Sequence, residues 1–227
     1  MHLFAAVATV ILVQPAQPKD AQDWFKTMEK KLTAAKTVRI VAAIKVEGAA
    51  KLDGRMSLIM AEGNKLTMTA ASKGADQNDM DNVTSDGTKT VSDTTNKKQG
   101  KTTRNTENDL NSKCLALLLR VGVFTAVDEL TMPNSQPKVE DLTLENWKKG
   151  ETERVGRQTA QIIEYDCKVK GLPVPLKCKV WIDTETFLPV KRTLLVAGGG
   201  LEYRYMETFN EVVLDEKVDP KTFELPQ

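Results

Sequence analysis

Side chains that commonly do chemistry are scarce in this chain. Its one histidine is His2, just ahead of an apolar N-terminal run, so a mature chain starting beyond that run lacks Ser–His and Cys–His pairs. It also lacks a histidine-containing zinc site. The three cysteines are Cys114, Cys167 and Cys178, too few for a cysteine-only set. No Gly-x-Ser-x-Gly or Walker A spacing occurs. Asp76, Asp79 and Asp81 resemble the start of a calcium loop, but Met80 breaks the spacing and the Gly and distant Glu are missing. Carboxylate pairs can come from distant parts of a chain, yet none stands out among 31 Asp+Glu. No catalytic residue, metal or cofactor is expected. One charge feature remains, in VWIDTETFLPVKRTLL (180–195), which reads as two apolar strands around a polar turn. Lys191 and Arg192 are adjacent there, so one of them must face inward, and the turn register decides which.

Composition narrows the classes further. A chain of 227 residues with 41% hydrophobic content can bury one sizeable core. Its 32 Lys+Arg against 31 Asp+Glu leave a net charge of +1, with no basic stripe for nucleic-acid phosphates. The run LFAAVATVILV (3–13) spans only about half a bilayer as a helix and has the length of a secretory h-region. Residues 1–16 therefore read as a signal peptide cut after Ala16, or as late as residue 21; the alternative is a buried N-terminal strand or helix. The expected product is a soluble protein, periplasmic or otherwise exported.

Cysteine placement agrees with export. YDCKVKGLPVPLKCKVWID (165–183) reads as a hairpin turning near Leu172–Pro173, which sets Cys167 opposite Cys178. Opposed residues on neighbouring strands are close enough to bond, so a disulfide is expected, contributing roughly 3 kcal/mol by the loop-entropy model. In a reducing compartment the same pair would be two small core residues.

The elements that must position these groups follow from periodicity. Trp24, Met28, Leu32 and Ala35 share one helical face. Val38, Ile40, Ala42, Ile44 and Val46 alternate as a strand with one buried face. Met56, Leu58 and Met60 alternate into a turn at Glu62–Asn64, and Leu66 and Met68 alternate out of it. Asp86–Gly87 is the strongest short hairpin signal. Residues 94–112 read as a polar loop, and NDLNSKCLALLLRVGVFTAVDEL (108–130) as one long helix, with Leu110, Cys114, Leu117, Leu118 and Val121 on one stripe. Strands resume at Leu142 and run almost to the end. Helix, strands, helical insert (about 106–130), strands: this order implies an α+β fold, a strongly curved antiparallel sheet with helices on one face, as a single domain over 22–227.

This layout resembles the LolA/LolB-like superfamily of periplasmic outer-membrane lipoprotein carriers. The resemblance is carried by DWFKTMEKKLTAAKTVRI leading into strands, TSDGTKTVSD, the apolar insert, VWIDTETFLPVKRTLL and the closing VDPKTFELP. It implies an unclosed β-barrel whose concave face, covered by helices, holds acyl chains. The lining would then be Met56, Leu58, Met60, Leu66, Met68, Leu117, Leu118, Ile163, Tyr165, Val180 and Ile182, with Arg192 as a head-group or lid contact. The implied partners are a lipid acyl chain or lipoprotein and membrane-bound donor and acceptor proteins, with the carrier a monomer. Two other readings stay open: an envelope sensor or scaffold binding a protein partner, and a carboxylate-dependent hydrolase.

Overall fold

The computed structural model describes residues 17–49, 51–74, 78–95, 100–132, 137–198 and 201–226. The N-terminal apolar run and its cleavage site lie outside them, as does Asp76. Helix α1 (Ala21–Ala34) starts at Asp20, whose carboxylate accepts the Asp23 N–H at 2.8 Å, an N-cap that satisfies an otherwise orphaned donor. It buries Trp24, Phe25, Met28 and Leu32. Strand β1 (Thr37–Gly48) buries Val38, Ile40, Ala42, Ile44 and Val46 in alternation, as the sequence predicted. Strands β2 (Leu52–Ala61) and β3 (Lys65–Gly74) turn through Gly63 and Asn64, at φ 77° and 57°. Strands β4 (Asn78–Asp86) and β5 (Lys89–Thr95) turn at Asp86–Gly87, where Asp86 accepts the Thr88 and Lys89 N–H groups, both at 2.7 Å. Then come β6 (Gly100–Asn105), α2 (Leu110–Arg120), α3 (Val123–Thr131), β7 (Leu142–Val155), β8 (Gln158–Val169), β9 (Leu176–Asp183), β10 (Pro189–Gly198) and β11 (Leu201–Leu214).

The described strands form one 11-stranded sheet in the order β6-β5-β4-β3-β2-β1-β11-β10-β9-β8-β7, antiparallel throughout. The first and last strands meet in the middle, and the edges β6 and β7 do not pair, so the barrel-like sheet is unclosed. Helices α2 and α3 carry the chain from one edge strand to the other. The inner face of the sheet and all three helices share one apolar core. Exposed Lys148, Lys149, Glu151, Glu153 and Arg154 line the long edge β7, charges that discourage pairing with another chain.

Three sequence expectations need correction. Residues 100–105 are not loop but strand β6; the segment has no apolar alternation to betray it, and its inward Thr102 meets Ser92 through a hydroxyl–hydroxyl bond of 2.7 Å. The single long helix is two, broken at Gly122, whose φ of 131° belongs to no helix. The cysteine hairpin is slipped by two residues: Cys167 faces Leu176 and Cys178 faces Tyr165. The cause is an earlier turn. Gly171 at φ 89° starts it, and Pro173 and Pro175 have no N–H to extend the ladder. Cys114, Cys167 and Cys178 are all buried free thiols, and burial first of all raises their pKa, to about 12, about 11 and about 12.

Thiolate is the reactive form, so native protein should show no fast reaction with Ellman's reagent, and all three thiols should react in guanidinium. Recovery of only one thiol in guanidinium would reinstate the disulfide.

Candidate functional site

Of the residues expected to line the cavity, Met56, Leu58, Met60, Leu66, Met68, Ile163, Tyr165, Val180 and Ile182 are buried on the sheet and Leu117 and Leu118 on α2. None is more than 2% exposed, and all belong to the core shared with the helices. The protein's own side chains therefore cover this wall. Methionine is prominent in it (Met56, Met60 and Met68), and an unbranched, polarizable side chain repacks readily around a changing neighbour.

Across this wall runs one charged interruption. Register pairs Ile44 with Glu207, Glu207 with Arg192, Arg192 with Val180 and Val180 with Ile163. Arg192 is thus the inward member of the Lys191–Arg192 pair, at 1% exposure beside Glu207, also at 1%. Lys191 points outward, its Nζ 4.7 Å from the centre of the Trp181 ring. The Arg192 guanidinium donates through Nε to Glu207 Oε2 at 2.8 Å and forms a close ion pair with it through Nη2. Burial alone would lower the pKa of Arg192, but the neighbouring carboxylate outweighs it and the net shift is upward.

The pair meets the helices at their junction. A helix leaves its last four carbonyls without partners, and in α2 each is accounted for. Leu117 O accepts from Val121 and Gly122 N–H at 2.9 and 3.0 Å. Leu118 O and Leu119 O both accept from Arg192 Nη1, the latter at 2.8 Å. Arg120 O accepts from the Tyr165 hydroxyl at 3.0 Å. At the other side of the break, Glu207 Oε1 accepts the Val123 N–H at 2.8 Å, at the start of α3. A cation thus sits at the negative end of one helix and a carboxylate at the positive end of the next, the favourable sense for both dipoles. Gly122 leaves room for this, because a Cβ there would come within 2.7 Å of Glu207 Oε1.

Sequence reasoning missed Glu207. The signal was in LEYRYMETFNEVVL, where Glu207 shares the inward phase of Tyr205 and Phe209. Tyr165 was expected only as lining, yet its hydroxyl is part of the same junction. Two other buried carboxylates have structural partners: Asp166 accepts from Asn146 and Lys177, and Asp183 closes the β9–β10 turn by accepting from Thr186. Among the described residues no group of three or more His, Cys, Asp and Glu could hold a metal, and no helix is long and apolar enough to cross a membrane.

Two of the surface clefts bear on the helices and the sheet. One, of about 270 Å³, lies between the end of α1, the β2–β3 turn and the start of α2, and its lining includes Leu32, Val38, Met60 and Leu115. The other, of about 1010 Å³, is lined by residues of β7–β11, among them Trp147, Glu164, Lys179, Trp181, Lys191 and Arg204.

No protein-family model and no curated protein matches the sequence. Solved structures do. A DUF1329 family protein from Desulfovibrio piger matches with TM-score 0.35 and 10% identity over 92% of this chain and 98% of that one. A LolA superfamily protein from Nitrosomonas europaea matches with TM-score 0.34 and 10% identity over 91% and 98%. A chain of the Pseudomonas aeruginosa MucA/MucB complex matches with TM-score 0.43 and 11% identity over 91% of this chain, which spans 61% of that chain's length.

The junction makes a double-mutant prediction. Arg192→Met leaves Glu207 buried and unpaired and should cost about 3–5 kcal/mol in urea unfolding. Adding Glu207→Leu should recover a good part of that loss; strictly additive losses would show that the pair is uncoupled. Gly122→Ala should independently cost more than about 1 kcal/mol, and an unchanged midpoint would contradict the described hinge geometry.

Proposed function

We propose that this chain is a carrier that holds the acyl chain of a lipid, or of a lipoprotein anchor, between the inner face of the sheet and the helix pair α2–α3. The observation that carries the reading is the placement of that pair: it crosses the open side of the sheet from edge to edge and covers a methionine-rich wall. Its C-terminal and N-terminal ends meet at one polar junction built from Arg192, Glu207 and Tyr165. In this reading α2–α3 is a lid, Gly122 its hinge and Arg192 the contact that keeps it closed. The cleft between α1, the β2–β3 turn and α2 reaches Met60 and Leu115 and supplies a way in from the surface.

The energetics suit reversible loading. Burying an acyl chain contributes about 0.8 kcal/mol per CH₂, so ten methylenes give roughly 8 kcal/mol. Part of that is offset by separating α2–α3 from the wall, because the ligand replaces contacts that the helices already make. No catalytic group is needed. The carrier would work as a monomer in the periplasm, between membrane-bound donor and acceptor proteins.

A protein-partner role is the second reading, favoured by the large outward cleft with Trp181 between Lys179 and Lys191. Native mass spectrometry of protein from an exporting host, followed by organic extraction, separates the two. The carrier reading expects a bound mass that extracts as phospholipid or acylated peptide, and uptake of a fluorescent fatty acid by delipidated protein. Empty protein that takes up no fatty acid would leave the partner-binding reading.

A further inference from the structure

The inner wall changes character toward the β6 edge. Thr90 and Ser92 on β5, with Thr102 on β6, take the positions that Leu66 and Met68 take on β3. Their hydroxyls are already engaged, Ser92 with Thr102 at 2.7 Å and Thr90 with Thr106 at 2.9 Å. Arg104, opposite Thr90, is not. The side chain as a whole is half-buried, but its Nε, Nη1 and Nη2 are shielded from solvent and make no hydrogen bond among the described residues. A buried guanidinium normally has a carboxylate, because removing it from water without a partner is costly.

The nearby acids do not fill that role. Glu107 bonds Lys113 at 2.7 Å. Glu129, on α3, is 8% exposed, and its Oε2 is itself buried without a partner. Burial raises the pKa of Glu129 and lowers that of Arg104, although each carboxylate charge works against the latter. The two groups attract through space and are not bonded. Arg104 therefore keeps a full set of unused donors beneath the same helix pair that covers the apolar wall.

We infer that Arg104 is an anion subsite at the polar end of the ligand space, and that it takes the phosphate of an amphiphile whose acyl chain lies toward Leu66 and Met60. This rests on the acyl-carrier reading. The register supplies the geometry: Met60, Leu66, Ser85, Thr90 and Arg104 lie in one row across five strands. Three spacings of about 4.8 Å place Arg104 about 14 Å from Leu66, a head-to-chain distance. Phosphate fits better than carboxylate because all three guanidinium nitrogens are open, and a carboxylate's two oxygens satisfy one edge of the fork while phosphate offers more. Lifting α3 removes Glu129 and opens the site together with the wall.

The test compares oleoyl lysophosphatidic acid with monooleoylglycerol, which share an acyl chain and differ in the phosphate, by calorimetry on the full mature chain. Wild type should prefer the phosphate form by about tenfold or more. Arg104→Gln should bring the ratio to about one with monooleoylglycerol binding unchanged, which also shows the variant is folded. Glu129→Gln should widen the preference by removing a competing carboxyl. A preference that survives Arg104→Gln would overturn the subsite while leaving the carrier. Absence of binding by either lipid would remove the carrier reading, and the inference with it. Inorganic phosphate alone decides the source: Arg104-dependent binding of phosphate without any lipid preference would assign the site to the free ion and overturn its role as a lipid head-group site.

Discussion

The arrangement depends on a buried ion pair placed where two helices meet. Arg192 and Glu207 are neighbours on β10 and β11, in a wall whose adjacent residues, Ile44, Val180, Tyr165 and Phe209, carry no charge. Two charges taken out of water gain little from each other unless every remaining donor and acceptor is used. Here the surplus donors go to α2 carbonyls and the surplus acceptor goes to an α3 N–H. The charges therefore determine where the helices stop, how they bend and against which strands they lie. An apolar pair of the same volume could fill the space but could not fix that geometry, since apolar contacts are not directional.

From this node the rest of the molecule divides into a supporting part and a covering part. The supporting part is the sheet, whose middle strands β1 and β11 are paired on both sides and whose inner residues on β1–β3, β8 and β9 are apolar. Helix α1 belongs with it, joined through Trp24 to Phe187 at 5.2 Å and through Phe25 to Trp147 and Tyr165 at 5.2 and 5.1 Å. The covering part is α2–α3, tied to α1 by Arg120–Glu29 at 2.8 Å and to the sheet by the polar junction. Binding in the proposed sense is an exchange: ligand methylenes take over contacts that leucines of α2 now make with the methionine-rich wall.

Much of this was legible in the sequence wherever one face is apolar. Alternation in β1, β2 and β3 located inward residues without error, because a period of two leaves no freedom once one face is buried. Turn chemistry placed Glu62–Asn64 and Asp86–Gly87. What escaped was set by polar or long-range terms. Strand β6 is an edge whose inward residues are Thr102 and Arg104, so no hydrophobic signal marks it. The cysteine register hinged on where Gly171 begins its turn, a choice that pattern reading missed by two residues. Arg192 was suspected from its neighbours, but its partner Glu207 is 15 residues away and its acceptors are main-chain carbonyls of another element, which no side-chain pattern records.

The central claim is that α2–α3 opens as a unit over a sheet that stays folded. Native-state hydrogen exchange tests it most directly. The account predicts that amides of Leu117–Thr131 exchange through an opening that costs less free energy than the global unfolding reported by β1 and β11, and that Glu207→Gln lowers the first value more than the second. Equal protection in the helices and the central strands, shifted equally by that substitution, would mean that the helix pair is a fixed part of the core and would contradict the account.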